Sequence, residues 1–261
     1  MFKSLISRGA IAAAFAATMA FANPAAAVPV DVELQLLVDV SGSVDGGEYT
    51  LQMDGIGNAF KSAAVQNAIA NGTNGAIAVQ VIQWSSSAVV SIDWTTVTAA
   101  NASTFGDDVI ALARAGGIGT LTGIGNAINF GAPLFTDNGY EGDRLVMDVS
   151  GDGSQNTGSS VTAARDNAVA GSATQDAVDV INGLPILNDE ANLDVYYTNN
   201  VVGGDDPFVL PVSNFGDIQT GMVTKLVAEI TGEPPQVSEP AVIGLLGMGV
   251  LGVALMRRRT A

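Results

Sequence analysis

The stretch ELQLLVDVSGS, Glu33 to Ser43, decides how the rest of this chain is read. Five of its first eight residues are apolar, and they run into a cluster of short carboxylate and hydroxyl side chains. A continuous apolar run of this length, ended by a turn signal, is the pattern of a central strand buried on both faces. Asp39, Ser41 and Ser43 then fall at its carboxyl end, and Gly42 lets the chain turn tightly between them. Taken alone, Asp-x-Ser-x-Ser suits an Asx turn or a helix cap as well as a binding site.

Working outward, Tyr49, Met53, Ile56, Phe60 and Ala63-Ala64 recur at three and four residues and predict a helix with one apolar face, broken at Gly72 to Gly75. Ala76 to Trp84 and Ala88 to Trp94 predict two strands, joined as a hairpin by Ser85-Ser86-Ser87. Phe105 to Ala115 predicts a helix, Gly116 to Gly119 a glycine-rich loop, and Thr122 to Phe130 a further helix. Arg144 to Val149 is a strand that enters Ser150-Gly151-Asp152-Gly153, and Val161 to Ala170 is helical. Val178 to Leu187 and Leu193 to Tyr197 predict more strand. Phe215, Ile218, Met222, Leu226 and Ile230 stripe a last helix from Asn214 to Thr231.

Strands alternating with helices imply an α/β fold, a doubly wound, mostly parallel central sheet with helices on both faces. In such sheets ligands bind beyond the carboxyl ends of the strands, where strand order reverses. The strands of Glu33 and Arg144 flank that point in the common winding order. The fold thus brings Asp39 and Asp152 to one crevice.

Both ends of the chain look like processing signals. Lys3 and Arg8 precede an apolar stretch, Ala10 to Ala22, which closes on Ala25-Ala26-Ala27, so residues 1–27 are expected to be a cleaved export signal. At the other end, Pro234-Pro235 and Ser238-Glu239-Pro240 precede an apolar run, Ala241 to Met256, and then Arg257-Arg258-Arg259. The apolar run is a little shorter than the roughly 20 residues of a full span, and the arginines would hold its end on the cytoplasmic side. Residues 233–261 resemble the C-terminal sorting tags of bacterial proteins handled by exosortases, with Ser-Glu-Pro where that pattern has Pro-Glu-Pro. The resemblance implies signal peptidase and exosortase-like sorting machinery as partners. It places the protein at the cell surface or beyond, with membrane contact only through this segment.

Between the ends, Lys61, Arg114, Arg144, Arg165 and Lys225 are the only basic residues against 26 acidic ones, a net charge of −21 over residues 28–239. That surface repels nucleic acid and anionic lipid. The chain has no histidine and no cysteine. A Ser-His-Asp triad, thiolate chemistry, disulfides, iron–sulfur clusters and nearly all zinc sites are therefore excluded. Any metal must be held by oxygen, which points to magnesium first, with calcium and manganese open. Asp39 offers a carboxylate, Ser41 and Ser43 neutral hydroxyls, Thr122 a further hydroxyl and Asp152 a second carboxylate. A site with so little ligand charge leaves room for a partner's carboxylate to complete the shell.

These residues, in this order, resemble the von Willebrand factor A domain and its metal-ion-dependent adhesion site. The Asp-x-Ser-x-Ser element falls on Asp39, Ser41 and Ser43. The family's threonine falls on Thr122, three residues before Gly125-Asn126-Ala127-Ile128, with Thr120 competing, and its aspartate on Asp152-Gly153. More narrowly, Asp148 to Gly153, Ile181 to Ile186 and Val201 to Gly204 look like a bacterial exported branch of that superfamily. The resemblance spans residues 30–232. It implies a divalent-cation-dependent adhesion module that binds an acidic group on a protein partner. A structural envelope or exopolysaccharide-associated role is the main alternative. A hydrolase with Asp39 and Asp152 as acid and base is disfavoured, because neither sits in an obviously apolar pocket.

Overall fold

The computed structural model describes residues 26–235. The predicted export signal, except for its last two residues, and all of the C-terminal apolar run lie outside that range, and so does the proposed membrane contact. Among the described residues no helix is long and apolar enough to cross a membrane.

The first elements are β1 (Val28–Val30), β2 (Glu33–Asp39), α1 (Gly46–Phe60), α2 (Ala63–Ala70), β3 (Ala76–Trp84), β4 (Ala88–Thr98), α3 (Ala102–Ile110) and α4 (Ile124–Gly131). After a short 3-10 turn come β5 (Tyr140–Gly142), β6 (Leu145–Gly151), α5 (Val161–Ala170), β7 (Val180–Pro185), α6 (Leu193–Asn200), β8 (Gly203–Gly204) and α7 (Ile218–Thr231). The main sheet has six strands in the order β4-β3-β2-β6-β7-β8. Strands β3, β2, β6 and β7 run parallel, and the edges β4 and β8 are antiparallel. The predicted hairpin forms across Ser85–Ser87, and β1 pairs with β5 in a separate two-stranded ribbon.

The apolar run of β2 is buried at every position because both faces of the sheet are covered. Leu34, Leu36 and Val38 pack with Met53, Ile56, Phe60, Val65, Phe105, Met222 and Leu226, which belong to α1, α2, α3 and α7. Leu37 points the other way, into a second core with Trp84, Met147, Val149, Ile124, Ile128, Val161 and Tyr197 beneath α4, α5 and α6. The period of two along a strand thus sorts one sequence run into two cores.

Three local readings need correction. Leu193 to Tyr197 is helix, not strand: Leu193 and Tyr197 are buried one turn apart while Val195 is exposed. Five residues spaced this way satisfy either period, and β8 already occupies the sheet edge beside β7. The apolar face from Tyr49 is carried by two helices, not one, because the Ser62 hydroxyl accepts from Val65 N–H and starts α2 afresh. Helix α3 ends at Ile110, and Ala111 to Ala115 leave it to cross toward the carboxyl end of β2.

Candidate metal centre

Strand order reverses at β2. The chain leaves it for β3 on one side and meets β6 on the other. The loops after β2 and β6 therefore share the crevice at the carboxyl ends, and Asp39, Ser41, Ser43 and Asp152 come together there.

Asp39 is the last residue of β2 and is fully buried. Its Oδ1 accepts from Ser41 N–H at 2.7 Å, the Asx-type turn expected of Asp before a tight loop. Ser41 Oγ lies 3.2 Å from Ser43 Oγ, and Ser43 Oγ donates to Asp152 Oδ1 at 2.7 Å. The loop is braced from outside. Arg114 donates to the carbonyls of Val40 at 2.8 Å and Ser41 at 2.6 Å, Gln52 Nε2 donates to the Asp39 carbonyl at 2.8 Å, and Gly42 N–H donates to the Thr120 carbonyl at 2.8 Å. Asp45 then caps α1, in a capping box closed by Glu48.

Thr122 is buried, and a side-chain carbon at Gly153 would lie 3.9 Å from its Oγ1, so this hydroxyl stands beside the Asp152 turn. Its main chain is clamped: its N–H donates to Asn156 Oδ1 at 2.9 Å and its carbonyl accepts from Asn156 N–H at 3.0 Å. Thr120, its competitor, is exposed, and its carbonyl accepts from Gly42 N–H of the Asp39 loop. Asn156 thus holds the Thr122 loop against the turn that carries Asp152. Arg114, Gln52 and Tyr197 were missed as site residues. The one usable signal was the rarity of arginine in so acidic a domain.

The electrostatics suit a cation. Burial lifts the Asp39 carboxyl from 3.8 to about 7; the Ser41 N–H opposes this and the Asp152 charge adds to it. Burial also raises Asp152, with the Ser43 hydroxyl opposing and Asp189 and Glu48 adding. Tyr197 is pushed well above its usual range by burial and then by Asp39. Asp39 Oδ2 and Asp152 Oδ2 are both buried without a hydrogen-bond partner. Native structures rarely leave buried acceptors this way, and positive charge is what these two lack. Among the described residues no three acidic side chains converge as a metal cluster, so a cation here would depend on two carboxylates and hydroxyls. The donor set fits a hard, oxygen-loving divalent ion. Cavities of 340 and 740 Å³ lie elsewhere, around Asp143 and Asp179 at the opposite end of the sheet, and contain neither Asp39 nor Asp152.

Comparison with solved structures supports the fold. Proximal thread matrix protein 1 of the mussel byssus, with a zinc-occupied MIDAS motif, superposes with a TM-score of 0.53 at 18% identity, covering 78% of this chain and 48% of that one. The pilus adhesin SpaC of Lactobacillus rhamnosus GG gives 0.53 at 13% identity, over 78% of this chain and 31% of that one. The PilB minor pilin of Streptococcus sanguinis gives 0.51 at 12%, over 81% and 64%. The chain spans about half the length of the mussel protein. At these identities the likeness establishes the fold, which is that of a von Willebrand factor A domain. No curated protein sequence matches. Residues 236–259 match the PEP-CTERM protein-sorting motif, which bears out the resemblance of that segment to a sorting tag. Residues 29–234 match the family described as protein of unknown function DUF1194, and the chain is a member of that family.

Proposed function

We propose that this protein is an exported binding module that uses a divalent cation, magnesium before calcium or manganese, to recognise an acidic group on a protein partner. The observation that carries the reading is the pair of unpartnered buried oxygens, Asp39 Oδ2 and Asp152 Oδ2, on loops joined by the Ser43–Asp152 hydrogen bond. Asp39, Ser41, Ser43, Thr122 and Asp152 would hold the ion. When bound, it supplies an electrophilic centre that a partner's carboxylate can ligate.

The chain's own residues do the rest. Arg114, Gln52 and the Gly42–Thr120 contact fix the loop before any partner arrives, so little ordering entropy is lost on binding. The sorting motif supports delivery to the cell surface or the surrounding matrix, where the similar adhesin and matrix proteins make the same placement reasonable. The expectation that neither carboxylate sits in a pocket that raises it is overturned, since burial lifts both Asp39 and Asp152. The cation reading is still preferred over the carboxylate-based hydrolase, because the hydroxyls of Ser41, Ser43 and Thr122 crowd the two acids and suit an oxygen-ligated ion.

Calorimetric titration of the mature chain with Mg²⁺, Ca²⁺ and Mn²⁺ tests the reading, together with capture of surface proteins with and without chelator. Binding of at least one ion, abolished by Asp39→Ala, and capture lost on chelation are expected. An absence of cation binding, or unaltered binding by Asp39→Ala, would overturn the cation site. Capture that survives chelation, with only the melting temperature falling, would reduce the ion to a structural role.

A further inference from the structure

Tyr197 is fully buried at the candidate centre, yet its hydroxyl has no hydrogen-bond partner. Its position is not a packing accident. A side-chain carbon at Gly183 on β7 would lie 2.6 Å from Tyr197 Cδ1, and one at Gly151 on β6 would lie 2.9 Å from the phenol oxygen. The ring therefore runs across two adjacent strands in a slot that two glycines keep open. The same carbon at Gly151 would lie 2.8 Å from Asp39 Oδ2, so phenol oxygen and free carboxylate oxygen converge on one small space. Asp39 Oδ2 is itself unpartnered, its Oδ1 being held by Ser41 N–H. Filling the slot needs only a ring, and a buried hydroxyl left without a partner is unfavourable, so the oxygen calls for a function that phenylalanine would not provide.

We infer that Tyr197 is the positioning residue of the Asp39 carboxylate. The two oxygens do not bond each other directly, so its O–H donates toward Oδ2 across one bridging water and sets the orientation in which Asp39 meets the ion. The donor comes from α6, an element that no local signal in the Asp39 loop announces. Groups that orient a metal ligand from behind commonly tune affinity by about ten- to a hundredfold. This role rests on the cation reading of the Asp39 site.

The test is Tyr197→Phe in the mature chain, titrated with Mg²⁺ and Mn²⁺ beside Asp39→Ala. Affinity about tenfold or more weaker, with an unchanged or slightly higher melting temperature in the cation-free form, is expected. Wild-type affinity in Tyr197→Phe overturns the positioning role and leaves the cation site standing. Wild-type affinity in Asp39→Ala overturns the site itself. Should Tyr197→Phe fail to fold, the wild-type chain labelled with 3-fluorotyrosine supplies the answer. Of its four tyrosines, all among the described residues, only Tyr197 is fully enclosed, so its ¹⁹F resonance is the one that resists a soluble paramagnetic agent. That resonance shifts on addition of Mg²⁺ if the phenol is coupled to the Asp39 carboxylate, and a stationary resonance removes the proposal.

Discussion

Ser43 Oγ donates to Asp152 Oδ1 at 2.7 Å, joining the loop after β2 to the loop after β6 across 109 residues of sequence. One short hydroxyl thereby ties the exposed rim of the crevice to a carboxylate that is almost wholly enclosed. Ser43→Ala removes the donor and leaves a second Asp152 oxygen without a partner. Urea unfolding of the cation-free protein should show a loss of about 1–3 kcal/mol, and calorimetry a weaker Mg²⁺ affinity.

The two threonines separate cleanly by burial. Thr122→Ala removes a buried hydroxyl beside the Asp152 turn, whereas Thr120 is exposed and its hydrogen bond to Gly42 comes from its carbonyl, which the substitution keeps. Titration with Mg²⁺ should find Thr122→Ala weakened about tenfold or more and Thr120→Ala within about twofold of wild type. The opposite order would transfer the ligand role to Thr120.

Arg114 brings a charged double donor to the carbonyls of Val40 and Ser41 and stacks 5.9 Å over the Tyr49 ring. Arg114→Ala should cost about 2–3 kcal/mol in thermal or urea unfolding, the scale of hydrogen bonds from a charged group. On the proposed cation reading it should also weaken cation binding, because the Asp39 loop loses its brace. Arg114→Lys keeps the charge but loses the flat guanidinium over the Tyr49 ring, and should recover only part of either effect.

A buried ionic cluster lies deeper in the sheet. Lys225 Nζ stands 3.1 Å from Asp148 Oδ1 and also pairs with Glu229, all three being almost fully buried. Burial lifts the Asp148 carboxyl from 3.8 to about 7, while Lys225 lowers it and Glu229 raises it further. The folded protein therefore holds this proton more tightly than the unfolded chain does. The stabilisation is full below about pH 4 and is lost as pH rises through about 7. Measured at saturating Mg²⁺, Asp148→Asn should flatten the fall in stability between those limits. Lys225→Met should cost about 3–5 kcal/mol at pH 8, because it leaves two carboxylates buried without their cation.

The sequence by itself determined the class of fold and the order of its parts. The apolar run before Asp39 needed two covered faces, and the alternation of periods two and three to four specified strands and helices in turn. The missing histidine and cysteine fixed the chemistry as oxygen-only. All of these are local or compositional facts, legible without knowing what packs on what.

Tertiary structure decided the rest, because burial and approach depend on partners far along the chain. Leu193 to Tyr197 satisfies both periods over five residues, and only packing under the sheet showed Val195 exposed and Tyr197 enclosed. Arg114 lies just beyond a helix that ends earlier than its sequence pattern, and reaches carbonyls more than 70 residues away. Thr122 and Thr120 are two residues apart in similar company, yet Thr122 is buried and held by Asn156 while Thr120 stays exposed. Gly151 and Gly183 look like ordinary strand glycines until the Tyr197 ring lies across them. Such choices rest on distances between segments, which no spacing within a segment records.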